Sequence, residues 1–240
     1  KVGAVGRTAT TTDLGAYDNY LKARALVTSR RELLLADQLV EKSLQQDSKY
    51  APAWELRAAL QSLLSEYTDT PLSAEDLDRR GTEYADRALS LDPDSALALA
   101  VKANLRANAV QELRGRHDLA DVIADLERSV KLDPNSVNAL NWLGRARLLV
   151  GQPDKGLEAF QRCVQVDPLA AACSENESRV LTALGRYDEA WRRQLAALDR
   201  GAKIDQLADF PLLAHMGQKA AFMFASNQSR YLPRWHRHEA

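Results

Sequence analysis

The chain has 240 residues, 45 % hydrophobic and 27 % charged, with 32 Lys and Arg against 33 Asp and Glu for a formal charge of -1. This composition supports a sizeable core and excludes a disordered chain or a disulfide framework, and the balanced charge gives no global field that would draw nucleic acid or an anionic membrane. No apolar run approaches the roughly 20 residues that cross a bilayer, and the opening KVGAVGRTATTT lacks the apolar centre of a signal peptide.

Residues 1–13 are Gly, Thr and Ala without periodicity and read as a linker from an upstream domain; the start at Lys1, in mid-phrase, has the look of an excised fragment. From Asp13, Tyr17, Tyr20, Leu21, Ala23 and Leu26 form the apolar face of a first helix, and Leu33, Ala36, Leu39, Val40 and Leu44 that of a second, ending at Asp47-Ser48. A new helix opens at Ala51-Pro52-Ala53-Trp54, where a proline in the first turn forfeits no hydrogen bond. Surplus length follows in SEYTDTPLSAEDL, where Ser73-Ala-Glu-Asp76 is a capping signal, and again around Gly115-Arg116-His117.

Residues 137–170 show the pattern most clearly. Leu140, Leu143, Ala146 and Leu149 share one helical face that stops at Gly151, a residue able to take a left-handed C-cap. A second helix from about Asp154 places Leu157, Phe160 and Val164 together and breaks at Asp167-Pro168. The phrases Leu91-Asp92-Pro93, Leu132-Asp133-Pro134 and Val166-Asp167-Pro168 recur, and Pro134 and Pro168 are 34 residues apart. With Leu143-Gly144, Gly156, Phe160, Cys163 and Pro168, this unit resembles the tetratricopeptide (TPR) repeat.

The resemblance implies an all-α right-handed superhelix of about five helical hairpins, at 16–50, 51–95, 96–136, 137–170 and 171–204, with a capping helical region at 205–229 and a basic-aromatic tail at 230–240. In the family, the glycine matching Gly144 marks the closest approach of paired helices. First helices line a concave groove that binds extended or helical peptides, which assigns partner contacts to Asn104, Asn108, Asn141, Arg145, Leu148, Glu175, Arg179 and Thr182. Amides and guanidinium groups there suit a peptide backbone and its carboxylates.

A second resemblance lies in Thr12-Asp-Leu-Gly-Ala-Tyr-Asp-Asn-Tyr-Leu-Lys-Ala-Arg24 with Asp47-Ser-Lys-Tyr-Ala-Pro-Ala-Trp54, although Arg24 departs from the expected glycine. These stretches are similar to the TPR module that follows a TolB-like domain in bacterial signalling proteins. Those proteins often begin with a winged-helix DNA-binding or adenylate cyclase domain.

No residues for catalysis converge. The histidines, His117, His215, His236 and His238, share no ordered helix face, and no Gly-rich phosphate loop or nucleophile elbow occurs. Cys163 and Cys173 fall on helices expected to pack together; two buried free thiols are favoured over a disulfide, which would indicate an oxidising compartment. Tyr231, Trp235 and the Arg and His around them form a short patch that is better read as folding back on the cap than as binding nucleic acid.

The expected function is therefore a non-catalytic interaction module without cofactor or metal, binding a protein or peptide or pairing as a homodimer. It carries no nucleic-acid site or membrane span in this stretch, and the cytoplasm is favoured over the periplasm. The alternative is a small-molecule-sensing domain whose insertions close a pocket.

Overall fold

Helix-forming runs punctuated by turns, several of them built on Gly or on Asp-Pro, make up the described architecture. The computed structural model describes residues 11–29, 32–67, 70–112 and 117–200. Its elements are α1 (Leu14–Ser29), α2 (Leu33–Gln46), α3 (Ala51–Tyr67), α4 (Ala74–Leu91), α5 (Ala96–Gln111), α6 (Leu119–Leu132), α7 (Val137–Leu149), α8 (Pro153–Val166), α9 (Ala171–Ala183) and α10 (Tyr187–Asp199). The expected cap at 205–229, the tail at 230–240 and most of the linker at 1–13 lie outside the described residues. Among the described residues, no helix is long and apolar enough to cross a membrane.

The chain divides into two compact units, one ending at Trp142 and the other beginning at Leu143. In the first, α1 packs on α2, α3 on α4 and α5 on α6, and each pair also meets the next through α2 with α3 and α4 with α5. One core joins Ala23, Val27, Leu33, Ala36, Val40 and Leu44 to Tyr50, Leu56, Leu60, Leu64 and Leu77. A second is built almost from alanine, with Ala58, Ala85, Ala88 and Ala98 beside Val101 and Leu105, so helix axes can approach closely. Trp54 and Tyr84 close its edge with ring centroids 5.7 Å apart, and the Arg57 guanidinium lies 4.7 Å above the Tyr84 ring.

In the second unit α8 packs on α9 and α9 on α10 around Leu157, Phe160, Val180, Leu181 and Ala190. A Cβ built on Gly144 would stand 2.5 Å from the Phe160 ring, so the glycine is required by this contact. The α7–α8 turn depends on Gly151 at φ 71°. Its N–H donates to Leu148 O at 3.0 Å and the Gln152 N–H to Arg147 O at 2.9 Å, a Schellman cap. Gly185 at φ 74° repeats this between α9 and α10.

Between hairpins another turn recurs four times, at Asp47, Asp92, Asp133 and Asp167. In each, the aspartate N–H closes the preceding helix onto Ser43, Ala88, Ser129 or Cys163. The carboxylate then accepts from the N–H two residues on, at 2.9 Å from Lys49, 3.1 Å from Asp94, 3.1 Å from Asn135 and 2.9 Å from Leu169. The aspartate carbonyl accepts from the N–H three residues on. The turn is therefore held by the aspartate, and the first of the four keeps it with Ser48 in place of proline.

Cys163 and Cys173 are joined in a disulfide with Cα atoms 6.0 Å apart, which overturns the expectation of two free thiols. The physical reason is the turn itself: it brings two small buried positions on consecutive helices into bonding range.

Candidate interaction surface

Once the stack has consumed the apolar faces, the chemistry available to other molecules lies on what the first helices leave uncovered. In the first unit, Asn104 on α5 is only 5 % exposed, whereas Asn108 on the same helix and Asn141 on α7 are half-buried. In the second unit, Arg145 is half-buried and Leu148 is exposed on α7. On α9, Arg179 is exposed and pairs with Glu175 at 2.5 Å, one helical turn away. Thr182 is buried and donates its hydroxyl to Ser178 O at 2.9 Å. Asn104 and Thr182 thus sit inside, while Asn108, Asn141, Arg145, Leu148, Glu175 and Arg179 reach solvent.

Two further surfaces stand out, the first not singled out from the sequence and the second beside the insertions expected to close a pocket. On α1, Leu14, Tyr17 and Leu21 are 84 %, 47 % and 40 % exposed and lie on one helical face, although the spacing predicts Tyr17 and Leu21 on the apolar face of this helix. In the first unit, a cleft of about 450 Å³ runs between α4, with Glu75, Asp78 and Thr82, and α5, with Leu105 and Arg106, and reaches His117. Its rim is knit by ion pairs, Arg79 with Glu83 at 3.0 Å, Lys102 with Asp86 at 2.5 Å, and Arg106 with Asp125.

Ionisable groups are half-buried in the first unit, at Glu55, and buried in the second, at Glu177. Burial pushes the Glu55 carboxyl up, opposed by a hydrogen bond from Ser95. Burial likewise raises Glu177, which Glu189 reinforces and Arg193, Arg200 and a hydrogen bond with Gln161 oppose. Among the described residues no three side chains able to ligate a metal come together.

A family model described as tetratricopeptide repeat matches residues 126–158, a span that runs from α6 through α7 into α8. No curated protein matches the sequence. Among solved structures, a thermophilic TPR protein from Thermus thermophilus is 16 % identical, with 88 % of this chain and 97 % of that one covered at a TM-score of 0.64. PilW, a type IV pilus biogenesis factor, is 16 % identical over 91 % of this chain and 94 % of its own, also at 0.64. Pseudomonas aeruginosa pilF is 14 % identical over 94 % and 96 %, at 0.62. The fold is the all-α TPR solenoid. At these identities the likeness concerns fold, and function rests on this chain's own surfaces.

Proposed function

We propose that this chain is a non-catalytic protein–protein interaction module. The observation that carries this reading is the placement of Arg145, Glu175 and Arg179 on the first helices, where charged and amide groups stay accessible after the stack has buried its apolar faces. Such groups suit a peptide backbone and its carboxylates. The surface of α7 and α9 in the second unit is the leading contact region, with Asn108 and Asn141 serving the first unit. We take the repeats as 16–50, 51–95, 96–136, 137–170 and 171–204, and the larger protein as a bacterial signalling or transcription regulator of the TolB-linked type.

The test is solution mass by light scattering together with capture of partners, comparing the native chain with Arg145→Glu. A monomer that captures a partner only with Arg145 in place supports the reading. Equal capture by the charge-reversed chain, with helicity unchanged by circular dichroism, overturns it; a dimer that captures nothing makes the partner a second copy.

Small-molecule sensing is a second reading, favoured by the cleft between α4 and α5 beside the two insertions. A ligand screen by thermal shift, with Thr82→Trp as the filled-cleft control, separates the two.

A further inference from the structure

The junctions between hairpins share one pattern of aspartate-turn hydrogen bonds, and the last also carries a disulfide. At each, the residue four before the turn aspartate and the residue six after it are small and buried: Ser43 and Ala53, Ala88 and Ala98, Ser129 and Ala139, Cys163 and Cys173. Ser43 and Ser129 donate their hydroxyls to the first-helix carbonyls of Ala16 and Ala96, both at 2.7 Å. Cys163 is bonded forward to Cys173. A covalent link replaces an ordinary contact at the joint between α8 and α9.

The helix it holds is unevenly attached. The C-terminal half of α9 contributes Val180 and Leu181 to the apolar cluster with Leu157, Phe160 and Ala190. Its N-terminal half and middle instead bury the polar side chains of Ser174, Glu177 and Ser178, and α10 buries Gln194. Gln194 Nε2 donates to Ser178 Oγ at 2.9 Å, yet Gln194 Oε1 and Glu177 Oε1 are buried without a hydrogen bond. Arg193 Nε lies 3.2 Å from Glu177 Oε1 and offers charge there. Gln194 Oε1 is left without a partner and the buried Glu177 carboxylate is held only by the Arg193 ion pair and a hydrogen bond with Gln161, so this seam adheres less well than the apolar half.

We propose that the Cys163–Cys173 bond is a redox-removable clamp: oxidised, it keeps the N-terminal half of α9 docked, and reduction lets that half and the facing end of α10 open. The reductant is a dithiol. Its thiolate attacks one cysteine sulfur, breaking the S–S bond, forming a mixed disulfide and releasing the other cysteine as a thiolate. Its second thiol then displaces the bound cysteine, so the reductant leaves as a disulfide, two electrons pass to the protein, and Cys163 and Cys173 each take up a proton. Both cysteines are at most 1 % exposed, so attack follows opening of the joint. Docking protects the bond and the bond preserves docking.

Amide hydrogen exchange by mass spectrometry on the full chain tests this, before and after dithiothreitol, with thiol counts confirming none and then two free thiols. Residues 171–178 and 194–199 should exchange on the order of a hundredfold faster when reduced, the factor expected for losing a link across a separation of 10 residues, while α1–α6 stay unchanged. Cys163→Ser/Cys173→Ser should show the fast pattern without reductant and no further change with it. In the reduced chain, Glu177→Gln should recover part of the protection. Two free thiols in the chain purified under air, unchanged exchange on reduction, loss of protection throughout α1–α6, or no recovery with Glu177→Gln would each overturn the proposal.

Discussion

Gly144 and Phe160 meet where no methyl group fits, so Gly144→Ala should destabilise the second unit by about 1–3 kcal/mol through overpacking, read by thermal denaturation. Phe160→Leu in the same chain should return part of that loss. Gly156 behaves differently from what helix propensity alone implies. A Cβ there would lie 3.0 Å from Leu148 Cδ2 and 3.1 Å from Gly144 O, so the propensity gain of Gly156→Ala is opposed by a tight backbone contact. Glu177 gives a pH signature. Burial raises its folded pKa above the ordinary 4.5, so its contribution to stability is full below that value and is lost as pH climbs through the folded value. Glu177→Gln should therefore melt higher than the native chain at neutral pH and converge with it in acid. A gap that widens in acid would contradict the assignment.

At the scale of elements, the turn aspartates carry more than their place in a repeat pattern implies. Asp133 offers its main-chain N–H to Ser129 O, its carboxylate to Asn135 N–H and its carbonyl to Ser136 N–H. Asp133→Ala removes the carboxylate contact and should cost about 1 kcal/mol in chemical denaturation, whereas Pro134→Ala should cost less. The sequence marks these breaks through Asp-Pro, and it marks Gly151 and the Ser73 cap, whose hydroxyl accepts from Asp76 N–H at 3.1 Å. Those features are legible because capping and turn formation are local. That Cys163 and Cys173 lie on packing helices was legible, but their bond was not, because it depends on the register in which the two helices meet across the turn. The burial of Asn104 and Thr182 was hidden likewise: a three-residue spacing shows that a face exists but not how far the neighbouring helix covers it.

For the whole molecule, hairpin stacking was readable from period and punctuation, while what the stack binds was not, since binding depends on the few side chains left uncovered. The shared junction register offers a direct check on the architecture. Ala88 and Ala98 occupy the positions of the cysteine pair, so Ala88→Cys/Ala98→Cys should close a second disulfide without a change in helicity, seen as two further thiols on reduction. Failure to oxidise would show that the junctions are not equivalent. The native bond also has a mechanical consequence. Fully extended, the chain from residue 163 to 173 spans about 34 Å, whereas the bond holds those Cα atoms 6.0 Å apart. A single molecule pulled from its ends should therefore have a contour roughly 30 Å shorter oxidised than reduced, which makes this one joint the part of the chain that force cannot lengthen.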